Sequence, residues 1–238
     1  RSSRTAAVVL LTIVTSLAVP RESLANPPFA ANACCDFVQV CTAPGDQSSP
    51  LPVSDGTGGA IIAWIDGRHG GTEIYAQHVV GTGVLDPAWP AQGMALSTGP
   101  GNRSNLAITA DGAGGAIVIW QDDREGYANI FAQHAPASGL PDAGWPTDGM
   151  ALNATAGDRR SPAIDFDGLA GAVIAWEDYR GGTRADIFAQ HVQRSGVMGW
   201  APAGVAVSAG SVASGRPMVV SDHDGGAIIV YVDSLIVA

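Results

Sequence analysis

Apolar residues in this 238-residue chain fall into short runs that recur at a fixed interval. The clearest is Gly114-Gly115-Ala116-Ile117-Val118-Ile119-Trp120, followed by Asp122, Arg124 and Gly126. It returns as Gly58-Gly59-Ala60 through Trp64, Asp66 and Arg68, and as Ala170-Gly171-Ala172 through Trp176, Asp178 and Arg180. A degraded fourth copy runs from Gly225-Gly226-Ala227 to Tyr231 and Asp233. The Gly–Ala junctions at 59/60, 115/116, 171/172 and 226/227 set a period of 56, 56 and 55 residues.

Each full copy reads as four short strands. The first follows Pro50, Leu106, Pro162 or Pro217 and leads to Asp55, Asp111, Asp167 or Asp222. An Asp-Gly turn then signals a hairpin, because Gly accepts positive φ and Asp bonds back to its own turn. Ala170 replaces the first glycine of the doublet in copy three, so that position is not expected to require a left-handed residue. The second strand, ending at the Trp, is apolar at successive positions, as a strand covered on both faces would be. The third is Ile74-Tyr75-Ala76-Gln77-His78, repeated at 130–134 and 187–191. A loop bearing Trp89, Trp145 or Trp200 leads to the fourth, at Gly93-Met94-Ala95-Leu96-Ser97, Gly149–Asn153 and Gly204–Ser208.

Four short strands per repeat, buried on both faces, predict an all-β fold: a β-propeller of four-stranded antiparallel blades, with about 3.5 blades present as an incomplete ring or open arc. A β-solenoid has shorter coils, and separate 56-residue modules would have marginal cores. The blades are expected at about 46–101, 102–157 and 158–212, with a partial blade at 213–238. Residues 38–46 align with 150–158, and 37–45 is expected as a lone outer strand. The strand count falls short of a closed ring, so the natural chain is expected to continue beyond these residues.

Composition narrows the function. Hydrophobic residues make up 46% of the chain, which excludes disorder, and the absence of lysine excludes a P-loop lysine and Schiff-base chemistry. Arg1 and Arg4, an apolar run from Ala6 to Val19, and Ser23-Leu24-Ala25 predict a signal peptide over 1–25, followed by a linker over 26–36. That run is too short to span a bilayer, so no membrane span is expected in the mature chain. The net charge of −10 falls to −12 after cleavage, and such a surface repels nucleic acid. In an exported chain Cys41 is expected to pair with Cys34 or Cys35.

Residues repeated in every blade are first of all expected to serve the fold. Trp64, Trp120 and Trp176 should fill inter-blade space, and His78, His134 and His191 should be hydrogen-bonded structural histidines. In the Asp-x-Arg pairs the Asp is first expected to cap its turn and the Arg to pair with it or with the next blade. Yet loops after the second strand share a propeller face with the loops between blades. Asp66, Arg68, Asp122, Arg124, Asp178 and Arg180, with Arg103 and Arg159, are therefore candidate ligand-binding residues, with Arg forks suited to carboxylate or sulfate. No metal site or cofactor is expected; calcium at the Asp-Gly turns is the one candidate, and none matches an alternating oxygen-ligand loop. Catalysis would need symmetry-breaking carboxylates such as Glu73, Asp123, Glu125, Glu177 and Asp186, and no catalytic residue is assigned.

In its combined motif the chain resembles secreted bacterial tandem-repeat proteins whose repeats read Asp-Gly-x-Gly-Gly-Ala, an apolar run, Trp-x-Asp-x-Arg-x-Gly, then Ile-Tyr-Ala-Gln and a Trp before Gly-Val. The similarity spans about residues 37–238. It implies a propeller outside the cell or at its surface, and no sorting or adhesion module of the family's kind is visible. Kelch and WD signatures are absent, and so is the Ser-x-Asp-x-Gly-x-Thr-Trp box of sialidases. The expectation is a non-enzymatic scaffold for an extracellular protein or glycan; a sialidase-like or other polysaccharide-acting enzyme and a purely structural surface array are the alternatives.

Overall fold

The structure, a computed structural model, describes residues 38–208, 210 and 213–234. The signal-peptide segment and the whole linker, with Cys34 and Cys35, lie outside the described residues. The first sheet holds β1 (Gln47–Ser54), β2 (Ala60–Asp66), β3 (Glu73–Val79) and β4 (Met94–Ser97). The second holds β5 (Arg103–Ala110), β6 (Ala116–Asp122), β7 (Asn129–Ala135) and β8 (Met150–Ala151). The third holds β9 (Arg159–Phe166), β10 (Gly171–Asp178), β11 (Asp186–Gln193) and β12 (Val205–Ala206), and a two-stranded sheet pairs β13 (Ala213–Ser221) with β14 (Ala227–Ser234). Every sheet is an antiparallel meander in chain order. The first strands, β1, β5, β9 and β13, stand side by side around a central channel. The described residues thus form an open arc of a β-propeller, three full blades and a half.

Alternation along the second strand explains why it is apolar throughout. Ile61 and Ala63 face the second blade and meet Ala116, Val118 and Trp120, whereas Ile62 and Trp64 face away from it. Ile117 and Ile119 then meet Ala172, Ile174 and Trp176 of the third blade. Ala175, Ile187 and Ala189 meet Val219, Ile229 and Tyr231 of the half-blade. Each indole is fully buried, as its recurrence predicts, and truncating one to Ala would cost about 3–5 kcal/mol. The outward face of the half-blade, with Met218, Val220, Ile228, Val230 and Val232, is exposed among the described residues.

Two glycine positions are fixed by close approach. At Gly93, Gly149 and Gly204, φ is +89°, +91° and +74°, and a Cβ would lie 2.6–2.9 Å from the Cη2 edge of the Trp of the same blade. At Gly59, Gly115 and Gly171 a Cβ would collide with a carbonyl of the third strand and with the turn aspartate. The preceding position, as expected, does not require a left-handed residue. It is left-handed at Gly58, Gly114 and Gly225 (φ +101°, +88° and +90°), and only Ala170 lies outside the left-handed region. The turn thus uses a left-handed residue where glycine permits one and another conformation where alanine does not.

The segment expected as a lone strand at 37–45 is not one. Val40 and Cys41 pack on Ile62 and Trp64, but 38–43 joins no sheet. Its polar groups go instead to Gln92: Thr42 N–H donates to Oε1 at 2.8 Å and Nε2 donates to Thr42 Oγ1 at 2.7 Å. Among the described residues no third strand stands beside it to offer a ladder. Among the described residues Cys41 is buried and unpaired, and burial pushes its pKa up.

Candidate functional site

The eight expected ligand-binding residues lie at the loop face, where they form one lock per blade. In blade 1, buried Asp66 accepts the Trp64 indole N–H at 2.7 Å, the Arg68 backbone N–H at 2.9 Å and both Nε (2.9 Å) and Nη2 (2.7 Å) of Arg68. The guanidinium lies 3.7 Å over the Tyr75 ring. Blade 3 repeats this with Trp176, Asp178 and Arg180, whose guanidinium stacks 3.8 Å over Phe188. In blade 2, Arg124 pairs with Asp122 and stacks 4.2 Å over Phe131, while its Nε is buried without a partner.

Arg103 and Arg159 deepen the lock. Each is buried, with Nε 3.1 Å from Asp122 or Asp178. Arg103 also donates to the carbonyls of Thr72, Gly101 and Pro100 at 2.9–3.1 Å, joining blade 2 to blade 1. Burial alone would raise the pKa values of Asp66, Asp122 and Asp178, but the hydrogen bonds from arginine and tryptophan outweigh it and hold them below the usual carboxylate range. The forks of these arginines are therefore taken up inside the protein, and the structure does not bring them together as an open anion-binding ring. A sequence shows that such residues recur; it does not show that each faces its own blade's aspartate.

Toward the axis the face changes character. Each first strand carries a bulge at its loop-face end, where two of its residues oppose one of the second strand. Its first residue is left-handed in every copy: Ser49, Asn105, Ser161 and Arg216, with φ of 50–54°. Three of them precede Pro50, Pro162 and Pro217, which have no N–H to leave unpaired in a bulge. A non-glycine residue at positive φ costs about 1–3 kcal/mol and persists only where its surroundings hold it. All four are exposed at the rim of the channel.

The side chains at this rim differ from blade to blade. Asn105 Nδ2 donates to Gln121 Oε1 at 3.0 Å. Glu177 accepts the Arg216 backbone N–H on Oε1 at 2.8 Å and the Tyr179 hydroxyl on Oε2 at 3.1 Å. Exposed Arg160 pairs with Asp158 at 2.9 Å and lies 5.4 Å over the Tyr179 ring. Ile65 occupies the position of Gln121 and Glu177 in blade 1. Below the rim the channel is apolar, about 530 Å³, walled by residues such as Leu51, Ile108, Ile164 and Val219. Among the described residues no group of three or more His, Cys, Asp or Glu is placed to hold a metal ion.

Sequence reasoning named Glu177 among the unrepeated carboxylates but missed Asn105, Gln121 and Arg216 as rim residues. Their signal was present: within an otherwise repeated motif, the residue before the conserved Pro or Leu and the residue between Trp and Asp both vary.

No protein-family description matches the chain, and no curated protein matches it significantly. Among solved structures, an endo-arabinase from Bacteroides thetaiotaomicron is similar, with a TM-score of 0.43 and 17% identity over 79% of this chain and 71% of that one. Similarity at that level transfers no chemistry. Among the described residues, no helix is long and apolar enough to cross a membrane.

Proposed function

We propose that this protein is a ligand-binding propeller that works outside the cell or at its surface. Its ligand is a polar one, a glycan by preference over a protein, seated at the rim of the central channel. One observation carries the reading. The lock around each Asp-x-Arg is repeated almost unchanged, while two nearby positions vary: the strained Ser49, Asn105, Ser161 and Arg216, and Ile65, Gln121, Glu177 and Val232 on the second strand. A fold needs the constant part. It has no need for exposed Asn105, Arg160 and Arg216 beside half-buried Gln121, Glu177 and Tyr179 over an apolar throat, and amide, carboxylate, phenol and guanidinium groups are those that select hydroxyl-rich ligands. Export rests on the basic and apolar segment at the N-terminus, and the resemblance to secreted repeat proteins agrees with it.

The test is a glycan array and an extracellular-protein pull-down, repeated with Arg160→Ala and Arg216→Ala. Both side chains are exposed, so unfolding midpoints should stay within about 0.5 kcal/mol of the parent. Binding should weaken at least tenfold. A ligand that binds both variants as tightly as the parent would remove the site from the rim. Products released from a bound polysaccharide would favour the enzymatic alternative.

A further inference from the structure

In the three full blades the second strand is paired along both edges: β2 by β1 and β3, β6 by β5 and β7, β10 by β9 and β11. β14 is the exception. Among the described residues it pairs with β13 alone, and its other edge, on the side away from the channel, carries no ladder. An unpaired edge is a template for another strand. Tyr231 stands on β14 at the position of Trp64, Trp120 and Trp176. Each of those sits opposite an aromatic residue of its third strand: Tyr75, Phe131 and Phe188. Tyr231 has no such neighbour among the described residues.

The blade beneath shows the same gap. In the two complete interfaces the next blade's third strand covers the outer half of the preceding blade. Phe131 and Ala135 join Trp89, Met94 and Leu96 in one core, and Phe188 and Val192 join Trp145, Met150 and Leu152 in another. Trp89 and Trp145 are 4% and 6% exposed. Each indole N–H donates to a carbonyl just past that third strand, Ala137 at 3.1 Å and Arg194 at 2.8 Å. On blade 3 the corresponding residues are Trp200, Val205 and Val207. Trp200 and Val207 are only half-buried and Val205 is exposed. Among the described residues nothing accepts the Trp200 indole N–H.

We propose that the free edge of β14 and the uncovered outer half of blade 3 receive an extended strand from a partner polypeptide, added antiparallel to β14 as a third strand. The completed blades define its chemistry: an aromatic residue opposite Tyr231, then alanine and glutamine, and an apolar residue four positions after the aromatic one. The aromatic and the apolar residue lie over Trp200, Val205 and Val207, and a carbonyl beyond them accepts the Trp200 N–H. Main-chain bonds supply affinity in such an addition, and alternate side chains supply selectivity. A second copy of this chain has no such strand to give, because β3, β7 and β11 are each paired on both edges. The edge lies away from the channel rim, so failure here leaves the rim reading standing, and the reverse.

The probe is a fluorescently labelled synthetic peptide with the sequence of residues 186–196, Asp-Ile-Phe-Ala-Gln-His-Val-Gln-Arg-Ser-Gly, titrated with the whole chain. Its anisotropy should rise saturably, and a scrambled peptide of the same composition should bind at least tenfold more weakly. In proton–nitrogen correlation spectra the Trp200 indole N–H should move downfield as the peptide saturates, while the other five indoles stay still. Trp200→Phe keeps a ring and removes the donor, and should weaken the peptide about fivefold. The indole shift in the parent keeps the test decisive should Trp200→Phe lose its fold. Absence of saturable binding, equal binding of the scrambled peptide, an unmoved Trp200 indole or unchanged affinity in folded Trp200→Phe overturns the proposal. Self-association of the chain that shuts the peptide out assigns the edge to a second copy, and overturns it too.

Discussion

Replacing Asp122 by Asn tests the lock that the repeated motif builds. The side chain keeps its size but loses its charge, at a fully buried position between two guanidinium groups. The Arg103 side chain is only 1% exposed, and its guanidinium's other acceptors among the described residues are the neutral carbonyls of Thr72, Gly101 and Pro100. Arginine does not deprotonate to escape. Removing one partner of a buried pair costs about 3–5 kcal/mol. Asp66 is the internal comparison. Gln47 stands where Arg103 stands, so Asp66 carries one guanidinium, that of Arg68, with 11% exposure. Asp66→Asn should therefore cost about 1.5–3 kcal/mol, the range for a hydrogen bond to a charged group. Urea unfolding followed by tryptophan fluorescence reads both. With a slope of about 2–3 kcal/mol/M, Asp122→Asn should lower the midpoint by about 1–2 M, and Asp66→Asn by about half of that. Adding Arg103→Met to Asp122→Asn should recover part of the loss, because it removes the stranded charge. Equal effects at the two aspartates, or a loss at Asp122 below about 1 kcal/mol, would refute the account of the second arginine.

Two further outcomes follow from the same geometry. Gly149→Ala combines a left-handed backbone (φ +91°) with a Cβ 2.7 Å from Trp120 Cη2, whereas Gly126→Ala has a similar φ (+83°) and nothing within 4 Å. Calorimetry should show a loss of about 2–5 kcal/mol for the first and about 1–2 kcal/mol for the second; comparable losses would mean that the indole edge does not decide the glycine. In acid, burial works against ionisation of Asp55, Asp111 and Asp167, but bonds from His78, His134 and His191 and from turn N–H groups hold their pKa values below the ordinary 3.8. Depressed carboxylates stabilise fully above about pH 5, and that contribution is lost as pH falls through their folded values. Urea midpoints measured from pH 6 down to pH 2 should fall, and Asp111→Asn should flatten the slope; a parallel profile would exclude Asp111 as a contributor.

Much of this architecture was legible in the chain. The 56-residue period, the apolar second strand and the turn glycines dictate stacked four-stranded sheets, because a strand that is oily on both faces has to be covered on both. Other features were not. The equivalence of 37–45 to a fourth strand was a true sequence pattern, but a ladder needs a neighbouring strand, and Gln92 satisfies the segment instead. The arginines of the Asp-x-Arg motif allowed two readings, pairing with the aspartate or the next blade and open forks on a loop face, and packing turned them onto their own aspartates and over Tyr75, Phe131 and Phe188.

Sequence by itself determined the repeat, the strand order and the residues that each blade keeps in common. These depend on local periodicity and on glycine's conformational range, which are encoded within a few residues. Only the tertiary structure decided which charges remained available to a ligand. Whether Arg103 or Arg216 meets solvent depends on what stands on the next strand or in the next blade, tens of residues away along the chain.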